Sequence, residues 1–199
     1  MQATSLLRLL QLASPSLPIG AYTYSQGIES AIERGAIHDQ SSARKWIAES
    51  LGIVADFEAP ILWRLLKAFA TNDAEQVGYW TECFVAARDT AEFRAETLQM
   101  GYSLSKLITD LKVVDASLQA ILANQSEIPL PTAFACAAVA LDIPHEVALL
   151  GMLFSMVENQ VLACVKSVPL GQVSGQSLLL SLHVEIENAA QRSQQLKDD

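Results

Sequence analysis

The side chains best suited to metal or nucleophilic chemistry are few in this sequence and widely spaced. There are three histidines and three cysteines, at positions His38, His145, His183, Cys83, Cys136 and Cys164. Zinc sites and disulfide frameworks use short, repeated spacings, which these residues lack. A metal site assembled in space from the histidines, or a Cys–His catalytic pair, stays an open alternative. The simpler interpretation is that the cysteines fill an apolar core.

Sequence motifs for nucleotide binding and hydrolysis are also missing. Residues 145–149 read HEVAL, so the metalloprotease pattern HExxH begins but lacks its second histidine. Neither GxxxxGK(S/T) nor GxGxxG occurs, and there is no GxSxG nucleophile turn. We therefore expect a protein that is not an enzyme, with no catalytic residues, no metal ligands and no cofactor.

Residues 17–29 are denser in polar and turn-forming residues than a helical core requires. They read LPIGAYTYSQGIE, which combines a proline–glycine turn, two tyrosines and a polar cluster. One interpretation is a loop followed by a helix cap, with the tyrosines half-buried. The other is a recognition loop, because tyrosine offers a large contact area with a polar tip.

Residues 158–176 form a second segment of this kind and read ENQVLACVKSVPLGQVSGQ. Asn159 and Lys166 are seven residues apart, so they share one face of a helix within about 20°. The pair is therefore a candidate for partner contact. Lys166 near a helix end is equally explained by the helix dipole, which favours a cation there.

The end of this second segment carries a repeated four-residue spacing. Gly171 and Gly175 are four residues apart, and so are Gln172 and Gln176. In a helix, the glycines would form a smooth strip and the glutamines an adjacent polar row. Glycine in a helix costs up to about 1 kcal/mol relative to alanine, which indicates a packing reason. The contact could be internal or with a partner, and both remain open.

The composition indicates a globular protein that covers part of its surface with another chain. Of its 199 residues, 51% are hydrophobic and 18% are charged, and the net charge is −9. This length can bury one sizeable core, and surplus apolar surface is usually covered by a partner or a second copy. Nucleic acid is excluded as a partner, since phosphate binding needs clustered lysine and arginine.

No segment is typical of a membrane protein or a secreted one. The apolar run at residues 147–154 is far shorter than the roughly 20 residues of a spanning helix. No basic amphipathic stretch indicates binding to a membrane surface. The N-terminal residues lack a basic lead and predict an amphipathic helix rather than a signal peptide. With its odd number of distant cysteines, the chain is expected in the reducing cytoplasm.

Helical periodicity dominates the chain and predicts an all-α, single-domain bundle of roughly eight to ten helices over residues 1–199. The predicted helices cover about 5–12, 24–34, 56–70, 72–88, 89–108, 113–123, 131–141, 144–167 and 172 into the 190s. A further helix lies between the second and third of these, with Trp46, Ile47, Leu51 and Val54 as its buried stripe. Asp39 or Ser41, Asn72 and Asp89 are the predicted caps, and Gly35 ends the second helix. The polar tail, residues 187–199, is expected to fray by itself.

Three stretches of this sequence resemble the signatures of the urease accessory protein UreF family, in the same order. Residues 17–29 resemble its N-terminal signature, and FRAETLQMG at 93–101 resembles its central motif. Residues 158–176 resemble its C-terminal signature, in which PLGQ followed by GQ is the most specific part. Family members often have aspartate where this chain has Ser14, which puts a carboxylate role there in doubt. They often have serine at Thr97, and that change keeps the hydroxyl.

The resemblance implies an all-helical homodimer that is not an enzyme. It implies binding to UreH, also called UreD, and to the GTPase UreG. It also implies docking of that assembly on apo-urease, where it helps insert nickel into the dinuclear site. Because the termini of family members order when UreH binds, the first helix and the tail are expected to do so here.

Transferred position by position, the resemblance implies two groups of residues. Partner contacts are expected at Tyr22, Tyr24, Ser25, Gln26, Glu29, Arg94, Glu158, Asn159, Lys166, Gln172 and Gln176. Backbone shaping is expected at Gly20, Gly27, Gly171 and Gly175. Arg94 and Glu96 form either an internal polar pair or an interface pair.

Two other functions stay open as alternatives. The chain could be a GTPase-activating protein in the strict sense, with Arg94 or Lys166 placed at the transferring phosphate of UreG. It could also be a carrier that binds nickel through histidine and cysteine.

Overall fold

The computed structural model describes residues 2–88, 90–168 and 170–196, with the backbone but not the side chain of Tyr22. Within these ranges the regular structure is eleven α-helices and one 3-10 helix, and it includes no strand. In chain order they are α1 (Ala3–Leu12), the 3-10 helix η1 (Ala21–Thr23), α2 (Ile28–Glu33), α3 (Gln40–Asp56), α4 (Glu58–Ala70), α5 (Ala74–Ala86), α6 (Ala91–Asp110), α7 (Ala116–Ala123), α8 (Leu130–Ala140), α9 (His145–Ser167), α10 (Gln172–Ser181) and α11 (His183–Gln195). The predicted all-α fold class is confirmed.

Two predicted helix boundaries are confirmed by their capping geometry. The Asp39 carboxylate accepts a hydrogen bond from the backbone N–H of Ser42 over 2.8 Å and starts α3. Gly35 has φ +74° and follows the last residues of α2. This left-handed conformation costs glycine little, so Gly35 can end the helix.

Two other predicted caps are wrong by one position. Asn72 has φ +53° and closes the turn after α4, so the next residue, Asp73, caps α5 by accepting from the N–H of Gln76 over 3.1 Å. α6 is capped by Thr90, whose Oγ1 accepts from the N–H of Phe93 over 3.2 Å. Asp89 itself lies outside the described residues. At both sites neighbouring residues have similar capping chemistry, and the preceding turn decides between them.

The last predicted helix is divided into two at Leu182. This residue is fully buried and has φ −101° and ψ 0°, so α10 ends before it and α11 begins after it. The bend allows α11 to pack against α3, α4 and α9. Burial of Leu182 therefore overrides the continuous helical pattern of the sequence.

The polar C-terminal helix is fastened to α3, and the predicted fraying from residue 187 is wrong for the described residues. The Ser193 hydroxyl is buried and donates to the Ala189 carbonyl over 2.6 Å; its oxygen also lies 3.2 Å from the Ala55 carbonyl. Arg192 pairs with Asp56 over 2.6 Å. Small side chains pack closely here, which a search for large apolar residues does not detect. The rest of the predicted tail, residues 197–199, lies outside the described part.

α8 and α9 occupy the centre of the fold. Residues 131–138 of α8 are all buried, and their small side chains let α4 and α6 approach closely. α9 contacts helices on several sides, among them α2, α3, α4, α10 and α11. Its length and apolar composition would also suit a membrane span, but half of its most apolar stretch is buried inside the fold, as in a core helix.

α1 lies on α9 and leaves much of its leucine face uncovered. Arg8 donates to the carbonyl of Leu141 over 2.8 Å. Leu9 packs directly on Gly151, because a Cβ added to that glycine would lie only 2.6 Å from Cδ1 of Leu9. Three other leucines of the helix remain exposed: Leu6, Leu7 and Leu10. The apolar face predicted for the first helix is therefore only partly used within the chain.

Candidate functional site

The two distant segments singled out in the sequence meet in space, at the loop before α2 and the middle of α9. The loop turns at Gly20, with φ +82°, and at two consecutive left-handed residues, Gln26 with φ +50° and Gly27 with φ +87°. Gly20 and Gly27 thus have backbone conformations that favour glycine, and the backbone-shaping role that the resemblance implies for them stays a prediction. Gln26 is not glycine, and its left-handed conformation requires support from its surroundings.

Asn159 on α9 holds this loop. Its side-chain amide donates to the carbonyl of Tyr24 over 2.8 Å and to that of Ala21 over 3.1 Å. The two bonds satisfy backbone acceptors of a segment that belongs to neither an α-helix nor a sheet. The resemblance implies a partner contact at Asn159, whereas in the structure its side-chain N–H groups donate to carbonyls of the same chain.

Gln160, the next residue of α9, holds the loop from a second position and is not among the predicted residues. Its Nε2 donates to Oε1 of Gln26 over 3.2 Å, and its Oε1 accepts from the Ser50 hydroxyl over 3.2 Å. Only 6% of Gln160 is exposed. A buried glutamine needs partners for both ends of its amide, and it finds them in α3 and the loop. Its position beside Asn159 in the second segment is the signal in the sequence that could have indicated it.

The central motif packs α6 against the segment that leads into α8. The Thr97 hydroxyl oxygen accepts from the backbone N–H of Leu130 over 3.2 Å. At Gly101, one turn later, a Cβ would lie 2.0 Å from the carbonyl oxygen of Ile128. The motif therefore has a structural role, in which a hydroxyl and a missing side chain allow two backbones to approach.

All three motifs contribute to one cavity of about 190 Å³. The first motif supplies Gln26 and the second supplies Gln160. The remaining lining comes from α3, α4, α5, α6, α8 and α9 and from Arg88 between α5 and α6: Ser50, Ile53, Val54, Glu58, Phe84, Arg88, Phe93, Glu96, Thr97, Met100, Leu130, Pro131, Met152 and Met156. We refer to it below as the motif cavity. Its residues are spread over the chain from position 26 to position 160, so tertiary structure alone brings them together.

The motif cavity contains one internal ion pair. Arg88 donates to the Glu58 carboxylate over 2.9 Å, and both side chains are largely buried. The guanidinium carbon lies 4.3 Å from the ring centroid of Phe84 and 5.4 Å from that of Phe57. The charge of Arg88 is thus held by a carboxylate and two aromatic faces.

A second carboxylate, Glu96, also lines the motif cavity. Burial raises its pKa above the ordinary value, and the nearby charge of Glu92 adds to the effect. Arg94 pairs instead with Glu127, over 2.6 Å. The alternative in which Arg94 and Glu96 form an internal pair is therefore not what the structure has.

The remaining predicted contact residues differ in their exposure. Tyr24, Ser25, Gln26 and Glu158 are half-buried. Burial also raises the pKa of the Glu158 carboxyl. Four other residues are exposed: Glu29, Lys166, Gln172 and Gln176. The side chain of Tyr22 lies outside the described part of the protein.

The two glycines of the second segment do not form a strip. Gly171 is the N-cap of α10 and is exposed, and a Cβ added there would meet no atom within 4 Å. Gly175 is buried, and a Cβ there would lie 2.5 Å from Cγ2 of Val165 on α9. The close contact is thus internal at Gly175, while Gly171 starts a helix.

Metal and nucleophilic chemistry finds little support in the described residues. They contain no group of three or more histidine, cysteine, aspartate or glutamate side chains that could hold a metal ion. All three cysteines are free. Burial raises the pKa of the Cys136 thiol to about 12, with a smaller effect of Asp115, and that of Cys164 to about 11. Such thiols are poor nucleophiles.

Comparison with known proteins agrees with the motif resemblance. The UreF family model matches residues 37–183. The urease accessory protein UreF of Nitrosospira multiformis is 71% identical over 195 residues, which cover 98% of this chain and 86% of that relative. The UreF of Janthinobacterium sp. is 66% identical over 200 residues, covering 100% and 88%. The UreF of Cupriavidus necator is 48% identical over 187 residues, covering 93% and 81%. The chain therefore belongs to the UreF family of urease accessory proteins.

Proposed function

We propose that this protein is a non-catalytic adaptor in urease maturation. It binds UreH (UreD) and the GTPase UreG, docks with them on apo-urease and supports the insertion of nickel. Its relatives are named urease accessory proteins, and the chain has uncovered apolar surface suited to partners. The observation that carries the proposal is this surface, since contiguous exposed apolar residues mark protein interaction sites.

The first apolar surface is the outer face of α1. Leu7 and Leu10 are 68% and 59% exposed, although the helix is held to the chain by Arg8 and Leu9. Leucines in this setting lose free energy in water and gain it when another chain covers them. We assign this face to UreH, because the resemblance connects UreH binding with the N-terminal segment.

The second apolar surface runs along α10 into α11. Val173, Leu180 and Val184 are 84%, 65% and 64% exposed, and their spacing puts Val173 and Leu180 on one side of α10. Gln172 and Gln176 are exposed on the same helix. An apolar stripe with polar residues beside it has the anatomy of a protein interface. We assign it to a further protein contact of the assembly, which includes the homodimer.

Lys166 is the residue that we assign to UreG. It lies exposed in the last turn of α9, six residues before Gln172, where α10 and the second apolar surface begin. The Lys166→Ala variant is expected to keep its melting temperature and to bind UreG more weakly. Lys45→Ala, which removes an exposed lysine of α3, is the matched control. Normal capture of UreG by Lys166→Ala would overturn this role.

Measuring the turnover of UreG distinguishes the GTPase-activating alternative from the adaptor proposal. Arg94 is less suited to reach a transferring phosphate, because its guanidinium is already paired with Glu127. Under the adaptor proposal, UreG turnover with the purified chain stays within a few-fold of its basal value. A large stimulation that disappears in Lys166→Ala would favour the alternative.

We further propose a cytoplasmic location and no nickel site within the isolated chain. Two of the three free thiols are buried in apolar surroundings, which suits a reducing compartment and a packing role. Calorimetry with nickel on the isolated protein tests the carrier alternative. Heat of binding below millimolar nickel would favour a carrier.

A further inference from the structure

Glu96 is a half-buried carboxylate in the wall of the motif cavity. Among residues 2–88, 90–168 and 170–196, the structure gives Glu96 no hydrogen bond and no ion pair. A carboxylate that is partly removed from water and left unpaired loses hydration that nothing within the chain replaces. Such a group is retained at a cost in stability, which points to a use outside the folding of this chain.

The charges that line the motif cavity do not balance. Its charged lining residues are Glu58, Arg88 and Glu96. Arg88 is occupied by Glu58 over 2.9 Å and by the faces of two phenylalanines. One negative charge, that of Glu96, is therefore in excess, and the cavity is complementary to a single added cation.

The walls around Glu96 suit a flexible aliphatic chain. The protein has four methionines, and three of them, Met100, Met152 and Met156, line the motif cavity. Methionine side chains are flexible and polarizable, so they adapt to an inserted group. Val54 and Leu130 add further apolar surface. The cavity thus combines an apolar enclosure with one unpaired carboxylate.

The rim and the size of the motif cavity favour a side chain over a free ligand. Ile53 and Phe93 line it and are 73% and 41% exposed, so they can contact a protein surface around the opening. The volume of about 190 Å³ is below the roughly 300–1,000 Å³ of pockets that enclose drug-sized molecules. Arginine suits this site better than lysine, because its guanidinium is weakly hydrated and stacks on aromatic rings such as Phe93.

We propose that the motif cavity is a socket for one arginine side chain of a partner protein, with Glu96 accepting hydrogen bonds from the guanidinium and the three methionines enclosing the aliphatic stem. The identity of the occupant as a protein side chain rests on the adaptor function proposed above. The net charge of −9 also favours a partner that offers basic residues.

The methionines give a direct test in the full-length chain. In protein labelled with ¹³C at the methionine methyls, N-propylguanidinium serves as the probe for the arginine side chain. Millimolar probe is expected to shift the signals of Met100, Met152 and Met156. Glu96→Gln, which keeps the shape and removes the charge, is expected to weaken binding about tenfold or more. Glu33→Gln removes an exposed glutamate of α2 and is the matched control.

Several outcomes would overturn the socket. One is that the probe shifts none of the three methionine signals, or shifts them equally in Glu96→Gln and the wild type. Another is that N-propylammonium binds as tightly as the probe or more tightly. A third is that uncharged 1-butanol produces the same shifts. Shifts produced by millimolar nickel or magnesium would replace it by a metal site. Melting curves of Glu96→Gln establish that the variant is folded, so lost binding cannot be ascribed to unfolding.

Co-purification with UreH, UreG and apo-urease separates this inference from the adaptor proposal. Glu96→Gln is expected to weaken assembly while the wild type assembles normally. Unaltered assembly by Glu96→Gln would overturn the partner arginine and leave the adaptor function standing. If the wild type itself captured none of the three proteins, the adaptor function would fail, whatever the methionine signals showed.

Discussion

The side-chain amide of Asn159 donates to the backbone carbonyl of Tyr24 over 2.8 Å and thereby ties the N-terminal loop to α9, 135 residues later in the chain. A second bond from the same nitrogen reaches Ala21 over 3.1 Å. With Gln160 bonded to Gln26, these contacts keep the loop in one conformation. Hydrogen bonds from two neighbouring residues of α9 therefore hold this loop within the folded chain.

Asn159→Ala is expected to loosen this loop. The variant removes two hydrogen bonds to backbone acceptors, so we expect a loss of about 1–3 kcal/mol in the free energy of unfolding. Hydrogen exchange at the Tyr24 amide, which bonds to Ala21, should accelerate more than exchange in α8. Asn188→Ala, at an exposed position of α11, is the control and should change little. Unchanged exchange at Tyr24 would contradict the role of Asn159.

Thr97→Val is expected to destabilise the protein by about 1–2 kcal/mol, because it leaves the N–H of Leu130 without its acceptor. Thr97→Ser keeps the hydroxyl and should recover most of the loss. Urea unfolding of both variants measures the difference. Equal stability of the valine and serine variants would show that the hydroxyl is not needed.

Gly101→Ala is expected to cost about 1–3 kcal/mol or more. A Cβ there would lie 2.0 Å from the carbonyl oxygen of Ile128 and 2.6 Å from the carbonyl carbon of Pro129, so two backbones must move apart. Gly52→Ala in α3 is the matched control, since nothing lies within 4 Å of its Cβ position. Alanine in that helix should stabilise by up to about 1 kcal/mol. Thermal unfolding that ranked the two variants in the opposite order would contradict the close approach.

The pH dependence of stability should report the raised pKa of Glu96. Burial raises this pKa, so the folded protein holds the proton more tightly than the unfolded chain. Ionisation of Glu96 therefore lowers stability as the pH rises through the folded pKa, and this cost is absent below the unfolded value of about 4.3. Glu96→Gln should be at least as stable as the wild type at pH 7, and any advantage should shrink near pH 4. A clear loss of melting temperature at pH 7 would show that the charge has a partner within the chain.

Thiol reactivity should distinguish Cys83 from the other two cysteines. Cys136 and Cys164 are buried, and their pKa values are raised to about 12 and about 11. At pH 8 both thiols stay protonated, and they should react with Ellman's reagent only on unfolding. Cys83 is half-buried and should account for any fast reaction. The assignment would be contradicted if all three thiols of the native wild type reacted at one rate. Fast reaction of the two thiols that remain in native Cys83→Ser would contradict it as well.

The helical architecture of this protein can be predicted from local sequence because its signals are local. Apolar periodicity, prolines at residues 131 and 144, the Asp39 cap and Gly35 act within a few residues of the helices that they delimit. The same locality explains the errors. Asn72 and Asp73 have similar capping chemistry, and only the turn after α4 selects one of them. The motifs that indicate the family are likewise contiguous stretches of sequence, so they can be recognised without the tertiary structure.

Tertiary structure alone decided which of those motif residues face inward. The resemblance implies a partner contact at Asn159. In the structure, however, the loop of residues 20–27 lies against α9, and its carbonyls accept hydrogen bonds from the side-chain amide of Asn159. Glu96 and the three methionines share a cavity only because α6 and α9 both pack against α8, which no local pattern encodes. The division has a physical reason: helix formation follows from contacts three or four residues apart, whereas the pairing of buried polar groups depends on segments more than one hundred residues distant.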